Sequence, residues 1–303
     1  MQSALTRIWI DYEAKLVELK GVSILFVGDI MLSRNVGRKM EELGDYRYPF
    51  LESADILREA DLTLGNLEGP ISARGVDQGS QYSFRADPKV IKGLIFAGFD
   101  ALVIANNHIW DWGGDALSDT VTLLQEDGIE PMGAGRNYEE ANKPVIEKIG
   151  TSSVAILAYT DLYPNSLKAT EQTPGISDFN VEGVQGLISE LKDEVDIIVI
   201  NLHWGEEYAD GPSSAQRVIA RSFIDAGADL IIGHHPHVVQ ETEAYKNGWI
   251  AYSLGNFVFD QNFSAETMEG LAVRANIRGG SVVSVEQFQV KISNSFQPAI
   301  VKL

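Results

Sequence analysis

Asp229-Leu230-Ile231-Ile232-Gly233-His234-His235-Pro236-His237 passes from a buried-type strand into a polar turn without an intervening spacer. Its first half is apolar, branched and unalternating, as expected of a strand covered on both faces. Its second half carries three of the five histidines in the 303-residue chain. The other two occupy equivalent places. Ala105-Asn106-Asn107-His108 closes the run Asp100 to Ile104, and His203-Trp204-Gly205-Glu206 closes Asp196 to Leu202. Histidines used only for packing would not collect at strand ends. Imidazole is the commonest metal ligand and titrates nearest neutral pH, so the arrangement points to one site that gathers them.

Outward from these runs the same alternation continues. Val22 to Val27, Asp61 to Leu64, Ser153 to Tyr159 and Trp249 to Leu254 read as further strands. Ser53 to Ala60, Pro88 to Ala97, Gly114 to Glu126, Val181 to Leu191 and Ser213 to Ala226 read as the helices between them. Strands separated by helices and hidden on both faces predict an α/β or four-layer αββα architecture. Pro131-Met132-Gly133-Ala134-Gly135 reads as a loop. From Leu271 the pattern alternates, with Gly279-Gly280 as a hairpin turn, which predicts antiparallel strands closing the sheet. Leu5, Ile8, Trp9, Tyr12, Leu16 and Leu19 follow helical spacing, so residues 1–20 read as an appended amphipathic helix and 21–303 as a single domain.

Composition excludes several classes. No run of eighteen apolar residues is present, so no segment reads as a transmembrane helix. Asp11, Glu13 and Lys15 interrupt the segment where a secretory signal needs an apolar core. The chain therefore reads as cytoplasmic as it stands, and as extracytoplasmic or membrane-associated if an anchor belongs to a longer protein. Without cysteine there are no disulfides and no thiolate metal sites. A net charge of −19, with no basic run to offset it, argues against nucleic acid as partner.

Other strand ends carry polar groups as well. Gly28-Asp29-Ile30-Met31-Leu32-Ser33-Arg34, Gly65-Asn66-Leu67-Glu68 and Ser253-Leu254-Gly255-Asn256-Phe257 join the histidine clusters, and Asp111 lies three residues beyond His108. In open α/β sheets, ligands bind outside the carboxyl ends of the strands, so these ends should converge on one pocket. Imidazole, carboxylate and amide oxygen suit Mn, Zn, Fe or Mg. His235 and His237 are one residue apart and can reach one cluster, with Pro236 stiffening the approach. His234 should point away from them and support the turn. Arg34, Asn66, Trp204, Glu206 and Asn256 are the candidates for contact with substrate. For Trp204 the alternative is core packing, for Glu206 a solvated loop acid, and for Asp29 a helix cap.

Taken together, Gly-Asp-Ile-Met, Gly-Asn-Leu-Glu, Asn-Asn-His, His-Trp-Gly-Glu, Gly-His-His-Pro-His and Ser-Leu-Gly-Asn-Phe, in this order between Val22 and Asp260, resemble the CapA (PGA_cap) family of capsule synthesis, which resembles calcineurin-type metallophosphatases in fold. The resemblance implies a four-layer αββα sandwich. It makes Asp29, Glu68, Asn107, His203, His235 and His237 ligands of a divalent metal, one or two ions or none, and His108 the acid/base, with Asp29 and Glu68 also serving catalysis. It implies poly-γ-glutamate or a related γ-glutamyl compound as substrate, with membrane-bound synthesis components as further partners, and metal-dependent hydrolysis or transfer at an amide or phosphoester. Two positions depart from the metallophosphatase pattern: Met31 stands where those enzymes carry histidine, and Asn66 where they carry a bridging aspartate. The alternatives are a non-catalytic polymer-binding or export component, or a metal-independent acid/base enzyme such as an epimerase.

Overall fold

Four strands begin directly after an aspartate, and each of those carboxylates accepts the backbone N–H of the second residue of the neighbouring strand. Asp61 accepts from Ser23 (2.8 Å), Asp100 from Thr63 (2.7 Å), Asp196 from Ser153 (2.7 Å) and Asp229 from Ile198 (2.8 Å). Short strands laid in parallel leave such donors unpaired at their amino ends, and buried donors need partners. One residue type thus closes the lower rim of both sheets and leaves the upper rim for chemistry.

The structure, a computed structural model, describes residues 21–302, so the amphipathic helix expected over residues 1–20 lies outside the described residues. In chain order the elements are β1 (Val22–Ile30), α1 (Arg34–Leu43), α2 (Ala54–Leu57), β2 (Leu62–Leu67), α3 (Ile91–Ala97), β3 (Ala101–Val103), α4 (Gly113–Glu126), β4 (Glu130–Met132), β5 (Ala134–Gly135), α5 (Tyr138–Asn142), β6 (Val145–Ile149) and β7 (Ser152–Thr160). There follow β8 (Gly175–Ile176), α6 (Val181–Leu191), β9 (Ile197–His203), α7 (Ser214–Ala226), β10 (Leu230–His234), β11 (Thr242–Tyr245), β12 (Gly248–Ala251), β13 (Asn256–Val258), β14 (Glu269–Arg278), β15 (Ser281–Ile292) and β16 (Pro298–Lys302).

One sheet runs β16-β15-β14-β1-β2-β3-β4, with β13 also against β1; the other runs β11-β12-β10-β9-β7-β6. Alternation along the strands sorts side chains into layers. Ile24 and Phe26 of β1 meet Val199, Leu230 and Ile232 of the second sheet in one apolar cluster. Leu25 and Val27 face the other way, onto Val36, Met40, Leu94 and Leu117 of α1, α3 and α4. Ile198, Ile200 and Ile231 pack against Ile188 and Phe223 of α6 and α7. The order is helices, sheet, sheet, helices: the expected αββα sandwich.

Three local readings differ from expectation. Residues 131–135, read as a loop, hold the ends of β4 and β5, kept apart by Gly133 at φ +82°. Strands this short show no periodicity to read. The helix read over Ser53 to Ala60 covers only Ala54–Leu57, because the chain must turn to place Asp61 beside Ser23. The strand read over Trp249 to Leu254 ends at Ala251; the chain then crosses to the first sheet, where Asn256 pairs beside Asp29. The Gly279-Gly280 turn joins β14 to β15 with both residues at positive φ, as a two-residue hairpin of this kind requires.

Candidate metal centre

Between β1 and β2 the register slips. Phe26 pairs with Leu64, but Asp29 pairs with Asn66, so β1 spends one residue more than its partner. Such a bulge re-aims the side chains beyond it. Without it Gly28 would share the inter-sheet face with Phe26; with it Asp29 does. Gly28 is required here because a β-carbon would sit 2.0 Å from the Gly255 carbonyl oxygen.

Asp29 is fully buried and is the hub of the site. Its Oδ1 accepts from Asn66 Nδ2 at 2.8 Å and lies 3.4 Å from His234 Nδ1. Its Oδ2 accepts from the His235 backbone N–H at 3.2 Å and lies 3.3 Å from His237 Nδ1. His237 Nε2 lies 3.5 Å from Glu68 Oε1, and His237 Nδ1 is 3.0 Å from Asn256 Oδ1. From the second sheet, His203 reaches Asn66 Nδ2 through Nδ1 (3.2 Å) and Asn107 Oδ1 through Nε2 (2.8 Å). His235 and His237 hold φ of +99° and +58°. Such conformations cost a residue with a β-carbon about 1–3 kcal/mol each and persist where surrounding contacts over-determine them.

His108 stands at the mouth. Its Nδ1 bonds Asp111 Oδ2 at 2.7 Å, an oxygen that also accepts from the Phe84 N–H, and its ring lies against Phe84 with centroids 4.0 Å apart. Its Nε2 faces Glu68 Oε1 at 3.8 Å. A cleft of about 160 Å³ opens here, lined by Arg34, Phe84, His108, Glu207, Tyr208 and His237 among others. Arg34 leans on Asp260 at 3.3 Å.

The charges are set by burial and by neighbours. Burial alone would raise the Asp29 carboxyl, but the adjoining His234 and His237 outweigh it and hold Asp29 well below the usual carboxylate range. Glu68 goes the other way: burial, with Asp29, Glu207 and Asp111 adding to it, pushes it well above that range against the pull of His237. Burial opposes charging His237, yet Glu68 and Asp29 prevail and raise it to about 9. His235 is lowered to about 3 by burial and then by His237, and His203 is lowered well below the imidazole range by burial and His235.

A divalent ion fits this donor set. Asp29, Glu68 and His237 offer ligand atoms within 4.8 Å of one another, and so do Glu207, His235 and His237. Glu68 Oε1 and His235 Nδ1 are buried without a hydrogen-bond partner. Leaving such groups unmet costs about 1–3 kcal/mol each, and carboxylate with imidazole is the ligand chemistry of Mn, Zn, Fe or Mg sites.

Asp29, Glu68, Asn107, His108, His203, His235 and His237 thus come together, and Arg34 reaches the rim. Asn66 and Asn256 are wholly buried and hold other site residues, so neither is placed to touch substrate. Trp204, expected at the substrate, is 1 % exposed, stacks on Tyr252 and donates Nε1–H to the Tyr252 carbonyl at 3.1 Å. Glu206 is exposed, and the next acid, Glu207, is the one that approaches His235 and His237. His234, expected to point away and support the turn, instead lies with the cluster: its Nδ1 is 3.4 Å from Asp29 Oδ1, on the carboxylate that His237 also reaches, and it pairs in register with His203. Asn106 is a further organiser: its amide donates to Asn66 Oδ1 (3.1 Å) and to the Leu67 carbonyl (2.8 Å). The Asn106-Asn107 pair is visible in the sequence; which amide faces the cluster is not.

The family model described as bacterial capsule synthesis protein PGA_cap matches residues 23–261. The chain belongs to the PGA_cap family. It is 34 % identical over 285 residues to the capsule biosynthesis protein CapA of Bacillus anthracis, covering 91 % of this chain and 68 % of that relative. It is also 34 % identical to the PGA biosynthesis protein CapA of Bacillus subtilis (strain 168), covering 93 % and 74 %. Among solved structures it is similar to a hypothetical protein from Thermus thermophilus (TM-score 0.58, 16 % identity, 89 % of this chain and 99 % of that one). A novel phosphatase from Mycoplasma pneumoniae aligns with TM-score 0.56 and 13 % identity over 89 % and 94 % of the two chains. At such identities the likeness shows the fold alone, which is of metallophosphatase type. No helix of this PGA_cap protein is long and apolar enough to cross a membrane among the described residues.

Proposed function

We propose that this protein is a metal-dependent hydrolase or transferase of poly-γ-glutamate metabolism, acting on an amide or a phosphoester. The observation that carries the reading is the meeting of Asp29, Glu68 and His237 in a buried group with an unpartnered Glu68 oxygen, beside a histidine already held by an acid. The relatives' printed names, capsule and PGA biosynthesis, support the polymer. Asp29, Glu68 and His237 would hold the ion, with His235, His203 and Asn107 lining the space around them. A bound divalent ion supplies a Lewis acid and a water acidified to about pKa 7.

The rest falls to the chain's own side chains. Asp111 accepts from His108 Nδ1, which leaves Nε2 as the atom that exchanges a proton with the reacting group. The Arg34 guanidinium on the cleft rim is the nearby cation for an anionic part of the substrate. Residues 21–303 act as one catalytic unit, because both sheets supply the cluster.

The test is a panel of phosphoester and γ-glutamyl amide substrates, run with Mn²⁺ and again after chelation. Turnover that chelation abolishes is expected. No turnover of either class by the metal-loaded protein overturns the reading. Met31 favours a second one, a binding component without metal chemistry: its thioether is buried and accepts from the Ser33 N–H (3.2 Å) and hydroxyl (3.0 Å) instead of facing an ion. Polymer affinity intact in His235→Ala, with no metal bound by the wild type, selects that reading.

A further inference from the structure

We propose that the cluster holds a single divalent ion, on Asp29, Glu68 and His237, and that the Asn66 amide excludes a second. This rests on the metal-dependent reading above and specifies it. Paired divalent ions work about 3.5–4 Å apart and need anionic ligands between them. In this protein the side chain that touches Asp29, Glu68 and His203 together is a neutral amide, wholly buried.

The orientation of that amide follows from its partners. Asn66 Oδ1 accepts from Asn106 Nδ2, so its NH₂ faces Asp29 Oδ1 at 2.8 Å, His203 Nδ1 at 3.2 Å and Glu68 Oε2 at 3.4 Å. An amide NH₂ has no lone pair for a metal, and its hydrogens present positive charge to the very acceptors a cation would seek. The effect passes to His203. Because Nδ1 accepts from Asn66, the ring proton lies on Nε2 and is donated to Asn107 Oδ1 at 2.8 Å. Two of the ligands the sequence suggests are therefore satisfied by each other.

The Asp29, Glu68 and His237 group differs, since Glu68 Oε1 is buried with no hydrogen-bond partner. The other group, Glu207 with His235, is also built on His237, whose Nδ1 is taken by Asn256 Oδ1, so its one remaining nitrogen, Nε2, can serve a single ion. Charge agrees. The carboxylates of Asp29 and Glu68 balance one divalent ion; a second would have only the Glu207 carboxylate left to offset it, because Asn66 is neutral.

The experiment uses the purified full chain, stripped of metal and titrated with Mn²⁺ alone. Bound metal is counted by calorimetry and by elemental analysis after desalting, and electron paramagnetic resonance reports spin coupling. One ion per chain with an uncoupled signal is expected. Asn66→Asp, which is isosteric and restores a carboxylate, is expected to take up two ions and show coupling. Two coupled ions in the wild type would overturn the proposal and leave the metal-dependent reading standing. An Asn66→Asp protein that still binds one would overturn the role given to the amide. A wild type that binds none would sink both readings. The wild-type count decides the number of ions even if the variant does not fold.

Discussion

Asp111 Oδ2 lies 2.7 Å from His108 Nδ1 and fixes which nitrogen of that ring can face the cleft. Both groups are nearly buried, so the contact is poorly screened. Replacing His108 with Ala is expected to lower kcat by about 100- to 10,000-fold, the usual range for a positioned acid/base. Asp111→Asn is expected to give a smaller fall and to shift the pH–rate profile, because an amide also offers the ring a donor. Rate profiles of both variants check this, and an unchanged Asp111→Asn profile would separate Asp111 from proton transfer.

Asn256 Oδ1 lies 3.0 Å from His237 Nδ1, which turns Nε2 toward Glu68. If His237 holds the proposed ion, Asn256 orients it from behind, so Asn256→Ala is expected to weaken Mn²⁺ binding by roughly 10- to 100-fold. Calorimetry measures it. A raised KM with unchanged metal affinity would mean that Asn256 contacts substrate after all.

Trp204→Phe keeps an aromatic ring against Tyr252 but removes the indole N–H and part of the buried ring volume. The Tyr252 carbonyl then loses that donor in a buried setting, at a cost of about 1–3 kcal/mol. Denaturant unfolding should show that loss while KM stays as in the wild type. A KM effect without a stability effect would reverse the structural assignment.

Gly28→Ala tests the bulge. Its β-carbon would fall 2.0 Å from the Gly255 carbonyl oxygen, backbone that cannot swing aside. A stability loss of about 1–3 kcal/mol or more is expected from the overpacking, together with weakened Mn²⁺ binding as Asp29 is displaced. A variant with wild-type Tm and metal affinity would show that the bulge does not set the Asp29 position.

Away from the candidate site, burial raises the Asp229 carboxyl above its ordinary value, partly opposed by the hydrogen bond from the Ile198 N–H. A raised folded pKa means that the native state binds more protons than the unfolded chain. The contribution of Asp229 is therefore most favourable below about pH 4 and is lost as pH rises through its folded pKa. Asp229→Asn retains an acceptor for Ile198 and does not titrate. Its Tm should gain on the wild type between about pH 4 and pH 7; a gap that stays constant across this range would refute the assignment.

Much of the architecture is readable in the chain because both sheets are covered. Apolar runs such as Asp196 to Leu202 can be nothing but buried strands once helices flank them on both sides. The site is readable in part, since each polar cluster marks a strand end. What stays hidden turns on single-residue parity. Glu206 and Glu207 are equivalent in sequence, and only the path of the loop after β9 brings Glu207 to the histidines. His234 joins the cluster and does not merely support the turn, because Asp29 arrives beside it through a bulge.

Strand order along the chain, the four layers and the residues available for chemistry were determined by the amino-acid sequence itself, because burial on two faces leaves its mark in uninterrupted apolar runs. The tertiary structure alone decided that the Asn66 amide turns its hydrogens toward Asp29 and His203, and that Trp204 belongs to the core. Those outcomes depend on contacts between residues as far apart as Asn66 and His203, from different sheets. Hydrogen bonds over such separations leave no periodic trace in the chain; they exist only once both sheets are packed.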